Sequence, residues 1–188
     1  SGSTLATTAN TVTGAVANAG TLLLNGGAIT GAITGAGALN IDDDATLTGD
    51  VTQTSADVAT TKTLTVTGDY AVGTTTLNAT STLGLVTGKK LTGNVVAGAT
   101  GQGAITFTDV AATSAITGNI GTSTVKVEDL TITNGVNAAV VTTTGNLYVN
   151  DIDLGQADTL SFIGTGTQAV TGTIDAANDT GAGIVVGN

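Results

Sequence analysis

Lys62-Thr63-Leu64-Thr65-Val66-Thr67-Gly68-Asp69-Tyr70 is the stretch on which the fold is read. Leu64 and Val66 alternate with Thr63, Thr65 and Thr67, so an extended backbone places the aliphatics on one face and the threonines on the other. Gly68 then supplies the backbone freedom of a sharp corner. The last five residues belong to a recurring phrase: an apolar β-former, Thr-Gly, any residue, and a second apolar residue. It also occurs as Val12-Thr13-Gly14-Ala15-Val16, Ile29-Thr30-Gly31-Ala32-Ile33, Leu47-Thr48-Gly49-Asp50-Val51, Leu91-Thr92-Gly93-Asn94-Val95, Ile116-Thr117-Gly118-Asn119-Ile120 and Val170-Thr171-Gly172-Thr173-Ile174. The phrases therefore start at positions 12, 29, 47, 66, 91, 116 and 170. A strand-and-corner unit at this spacing buries its apolar face only against its neighbours, as a solenoid requires. The drift in spacing argues for a coil with loops of variable length and against a propeller of fixed blades.

Other stretches follow the same alternation. Thr124-Val125-Lys126-Val127-Glu128, Leu130-Thr131-Ile132-Thr133, Ala104-Ile105-Thr106-Phe107-Thr108 and Thr159-Leu160-Ser161-Phe162-Ile163 read as strands. In Leu147–Leu154 the apolar face shifts by one residue at Asn150-Asp151, which predicts a bulge where a strand turns a corner. Ala15 to Ala38 reads either as thin rungs or as a loosely ordered start. Asp42-Asp43-Asp44 reads as a turn or loop. The whole chain, 1–188, is expected to form one β-solenoid domain: all-β, a parallel β-helix with irregular rungs of about 17–25 residues and about nine turns, on the order of 40–45 Å long.

Composition agrees with a narrow core. Thr occupies 42 positions and Gly 28, aromatics are 2%, and Pro, Cys, Met, Trp and His are absent. Small and β-branched side chains fit a slender bore and favour extended backbone. Without Pro, every rung keeps its backbone donor. The net charge of −10, with four cationic residues, disfavours nucleic acid and anionic membrane as partners. No apolar run approaches a membrane helix, and Ser1-Gly2-Ser3-Thr4 lacks the features of a signal peptide. The absence of Met even at position 1 suggests a fragment or processed part of something longer.

The Leu/Ile/Val-Thr-Gly-Asn-Ile/Val phrases, the segment Gln168-Ala169-Val170-Thr171-Gly172-Thr173-Ile174-Asp175 and the Thr/Asn/Gly-rich, Cys-free composition resemble the passenger regions of bacterial autotransporter surface proteins. The nearest likeness is to the large rickettsial surface antigens of the outer-membrane protein B type. The resemblance implies a right-handed parallel β-helix, secreted to the cell surface, with an adhesive or surface-layer role. It supplies no catalytic residue. The membrane barrel such proteins carry is not in this chain, which lacks alternating membrane strands with aromatic girdles.

Catalytic chemistry is thinly represented. Without His or Cys, a Ser-His-Asp or Cys-His nucleophile is excluded, and so are ordinary zinc and haem sites. Asp151 and Asp153 share a strand face and could act as a carboxylate pair on a polysaccharide, but solvated surface carboxylates are the favoured reading. Asp42-Asp43-Asp44 could gather calcium, though a charged turn is favoured, and Lys89-Lys90 reads as a solvated turn. No catalytic, cofactor or metal residue is therefore assigned. Thr abundance is read as stacked ladders. A flat Thr-lined face matched to ice or another repetitive lattice is disfavoured beside the ladders, because it needs Thr-x-Thr at one constant rung position, and Thr63-Leu64-Thr65, Thr74-Thr75-Thr76, Thr122-Ser123-Thr124 and Thr142-Thr143-Thr144 are unevenly spaced for it. The expected function is non-enzymatic: a bacterial cell-surface structural or adhesion segment. Its contacts, to host cells or to itself, would be spread along a rod, with specificity in loops around 73–90 and 134–146. The alternative is an extracellular filament subunit polymerising through open β-edges.

Overall fold

Each inward aliphatic of one turn sits over the equivalent residue of the turn before it, and this stacking builds the molecule. The computed structural model describes residues 4–86, 88–108, 112–133, 138–176 and 181–187. Among them are nineteen strands, every strand pairing is parallel, and no helix occurs. The strands form one continuous parallel sheet wound as a right-handed β-helix of about nine turns, and its three faces are its first, second and third sheets.

The first sheet starts at Thr4–Thr8 and takes the N-terminal halves of Thr21–Ile29 and Ala38–Leu47. The second runs through Thr11–Val12, Thr63–Val66, Thr82–Val86, Gln102–Thr108, Val127–Thr133, Leu147–Leu154 and Val170–Asp175. The third holds Val16–Ala17, Ile33–Thr34, Thr113–Thr117, Val140–Thr143, Thr159–Phe162 and Gly183–Val186. Inward residues from all three merge into one core running from Leu22 to Phe162.

The register shows the turns lengthening toward the middle of the chain and shortening again after it. Leu5, Leu22, Leu39 and Ala56 pair in succession at one constant spacing. Farther along, Val95 pairs with Ile120 and Ile120 with Leu147, so each turn there is half as long again. Ala15 to Ala38 thus forms thin rungs, in the most regular part of the coil. The alternations in Lys62–Thr67 and Ala104–Thr108 place Leu64, Val66, Ile105 and Phe107 fully inside. The face shift in Leu147–Leu154 is a register break between Tyr148 and Asp151. Asp42-Asp43-Asp44, expected as a turn or loop, lies within strand Ala38–Leu47 at a bend where the register slips.

The Thr-Gly phrase marks corners, and not always the same corner. Gly14, Gly31, Gly49 and Gly68 stack at the corner between the second and third sheets. Gly31, Gly49 and Gly68 each lie against the backbone of the glycine one turn below, leaving no space for a Cβ. Gly93 and Gly118 belong to the corner between the third sheet and the first, where Leu91 pairs with Tyr70 and Ile116 with Leu91. Gly145 continues that stack, so Thr143-Thr144-Gly145-Asn146-Leu147 is an additional unit that a polar first residue conceals. Val170–Ile174, by contrast, lies within strand Val170–Asp175, with Gly172 over the bulge near Asn150.

The residue after the glycine has a definite task. Asp50 Oδ1 accepts from Asp69 N at 2.9 Å, and Asp69 Oδ1 accepts from Lys90 N at 3.0 Å. At the other corner Asn94, Asn119 and Asn146 accept from Asn119 N, Asn146 N and Ala169 N at 2.9, 2.9 and 2.8 Å. Each side chain thereby satisfies a corner N–H that the sheet ladder misses. In the earliest turns the second corner uses a buried amide pair instead: Asn18 Nδ2 donates to Gln53 Oε1 at 2.7 Å and to Ala38 O at 3.0 Å.

Candidate functional site

Titratable groups gather on the outward face of the second sheet in the last three turns. Asp129 pairs with Asp151, Thr131 with Asp153, and Asp153 with Asp175, so strand register alone stacks four carboxylates in two adjacent rows. Asp151 and Asp153 do share one face, as alternation predicts. Turn lengths are needed to see that Asp129 and Asp175 join them, since the members of each stacked pair are a full turn apart in sequence. Glu128 flanks the group and its Oε2 accepts from Asn150 Nδ2 at 2.7 Å. Partial burial raises the Asp129 carboxyl above its usual range, and the charges of Glu128, Asp153 and Asp151 add to the effect. Asp153 is raised by burial and then by Asp151 and Asp175. Beside this ridge a shallow groove of about 250 Å³ is lined by Thr80, Ser81, Gly101, Gly103, Ala104, Glu128 and Asp129. The arrangement concentrates negative charge along one line of the coil.

Asp42-Asp43-Asp44 is divided among different partners. Lys62 Nζ lies 2.7 Å from Asp43 Oδ1, and Asp44 Oδ1 accepts from Thr63 N at 2.8 Å. The hydrogen bond from Lys62, then one from Asp44 N, then the Lys62 charge hold the exposed Asp43 carboxyl below its usual range. Among the described residues no group of three or more His, Cys, Asp or Glu is placed to hold a metal ion. Lys90 opens strand Lys90–Ala97, and its N–H caps Asp69 at the corner. Of the stretches expected as specificity loops, 73–90 consists mostly of strands Tyr70–Leu77 and Thr82–Val86. Residues 134–137 of the second stretch lie outside the described residues, and Val140–Thr143 is a strand.

The threonines are more orderly than their spacing in sequence suggests. Thr11-Val12-Thr13, Thr46-Leu47-Thr48, Thr65-Val66-Thr67, Thr106-Phe107-Thr108 and Thr131-Ile132-Thr133 all stand at one position of the second sheet, with the middle residue inward. Ala28-Ile29-Thr30 and Gly84-Leu85-Val86 occupy that position in the intervening turns. The four triplets weighed from sequence do not define this set, since only Thr65 belongs to it. For the first three pairs the usable signal was Thr before the inward residue of a Thr-Gly corner, whereas Thr106-Phe107-Thr108 and Thr131-Ile132-Thr133 precede no such corner.

At the C-terminal end Ile163, Val170, Ile174, Ile184, Val185 and Val186 are exposed, Val186 by 80%. No family model, no curated protein and no solved structure matches the chain.

Proposed function

We propose that this chain is a non-enzymatic structural or adhesive segment of a bacterial cell-surface protein, of the autotransporter-passenger kind that its Thr-Gly-Asn phrases resemble. The observation that carries the reading is the placement of Asn94, Asn119 and Asn146. Asn94 and Asn119, which belong to the phrases that carry the resemblance, and Asn146 in the concealed unit are spent on holding successive turns together. A coil whose recurring polar residues serve its own backbone presents an extended, rigid outer surface for distributed contact. Its partners would be host-cell surfaces or copies of itself. The test uses beads coated with purified chain, counted on cultured mammalian cells against albumin-coated beads. Retention well above albumin supports the adhesive reading; equal retention, together with no ordered self-association, removes both forms of the proposal.

A second reading is an extracellular filament subunit, favoured by the exposed Ile184, Val185 and Val186 beside the outer edge of the last turn. Such edges pair readily with added strands. Fibres under the electron microscope, with light scattering that grows with concentration, favour the filament. A monodisperse chain at high concentration opposes it.

A further inference from the structure

The five Thr-x-Thr pairs of the second sheet make an outward surface that the core does not require. Outward residues two apart on a strand lie about 6.6 Å apart, and equivalent residues of successive turns about 4.8 Å apart. In the first row the register is unbroken from Thr46 to Thr131; in the second, Val86, Thr108 and Thr133 end their strands, while Thr48 and Thr67 stand one residue beyond theirs, so the two rows form an ordered array. In a chain of net charge −10 the two rows carry no charged residue from Thr11 to Thr133. The side chains are also held in place. Thr is stiff at χ1, and the hydroxyls of Thr30, Thr48 and Thr67 donate to the carbonyls of Val12, Ile29 and Thr48 at 3.4, 3.4 and 3.3 Å. Each oxygen keeps lone-pair capacity for solvent.

We propose that this strip binds a neutral crystalline lattice of hydrogen-bonding groups, namely the surface of ice. A fixed two-dimensional array of methyls and hydroxyls can hold water in ordered positions, whereas charges orient water around themselves and break such order. A crystalline polysaccharide is the less suited partner, because the strip offers no aromatic platform for sugar rings. Many weak contacts made together give firm attachment. The array has one central defect, Gly84-Leu85-Val86. A Cβ placed at Gly84 lies 3.3 Å from Thr106 Oγ1, 3.9 Å from Leu64 O and 4.0 Å from Thr65 Oγ1, so a side chain there requires the Thr106 hydroxyl to move by a few tenths of an ångström.

Ice-recrystallisation inhibition and ice shaping by the purified full chain form the test, with circular dichroism confirming the fold of every variant. The parent should inhibit crystal growth relative to albumin at equal concentration. Thr65→Lys/Thr106→Lys should reduce inhibition about tenfold or more, since simultaneous contacts multiply. Thr76→Lys, on the first sheet, should leave it unchanged. Gly84→Thr/Val86→Thr completes the grid and should strengthen inhibition several-fold. The inference is overturned if the parent behaves as albumin, if Thr65→Lys/Thr106→Lys retains full activity, or if the chain partitions onto crystalline cellulose or chitin and not onto ice.

Discussion

Replacing Gly68 by Ala isolates the cost of stacking at a corner, because Gly68 does not need a left-handed backbone. An added Cβ would collide with the Gly49 carbonyl and lie 2.7 Å from Asp50 N. Ordinary contact begins near 3.4 Å, so the two turns must part locally by roughly 0.7 Å or more. Three hydrogen bonds cross that gap: Asp69 N to Asp50 Oδ1 at 2.9 Å, Thr67 N to Leu47 O at 2.9 Å and Val51 N to Asp69 O at 2.8 Å. Stretched by that amount they leave the bonding range. At about 0.5–1.5 kcal/mol each, the loss is roughly 1.5–4.5 kcal/mol, a large share of the 5–15 kcal/mol typical of a domain. In a chain of this size it lowers Tm by roughly 3–18 °C. The control is Gly166→Ala, where a Cβ meets nothing within 4 Å. Thermal unfolding followed by circular dichroism should show a clear drop for Gly68→Ala and little change for Gly166→Ala. Equal effects at the two sites would refute close glycine stacking.

Asn119→Ala removes the acceptor of Asn146 N–H and should cost about 1 kcal/mol in urea unfolding, while Asn119→Asp, which keeps an acceptor oxygen, should cost much less. Tyr70→Phe strands the fully buried Thr75 hydroxyl, now 2.9 Å from the Tyr70 hydroxyl; a loss of about 1–3 kcal/mol is expected, with partial recovery in Tyr70→Phe/Thr75→Val. Asp129→Asn and Asp153→Asn should each stabilise the fold at neutral pH by roughly 0.2–1 kcal/mol, the scale of directly opposed like charges in a sheet. Both carboxyls are raised in the folded chain, so their destabilising effect is absent below the unfolded carboxylate pKa of about 4 and grows as pH rises through the folded value. The stabilisation by Asn should accordingly shrink on acidification, and a pH series of Tm values checks the sign.

Period-two alternation and Thr-Gly corners make the coil legible because both are local: each depends on residues two to four apart. Turn length is not local. The phrase moves from the Gly68 corner to the Gly93 corner while keeping its Thr-Gly pair, so spacing between phrases mixes whole turns with one-sheet jumps. Thr143 hid a corner because Thr there takes a fully buried place that elsewhere is aliphatic. The same blindness covers the surfaces. Asp151 with Asp153 was visible within one strand, whereas Asp129 and Asp175 join only through register. The Thr-x-Thr grid likewise emerges only when turns of unequal length are superposed.

The central claim is that successive turns rise along one axis in parallel register, and spin-label distances test it most directly in a chain free of native cysteine. Thr30 serves as the fixed site, paired in turn with cysteines replacing Thr108, Thr133 and Asp175, which lie four, five and seven turns farther along the second sheet. The predicted backbone separations are about 19, 24 and 34 Å, one step of about 4.8 Å per turn. Distances that fail to grow with turn number, as two facing antiparallel sheets would give, contradict the coil.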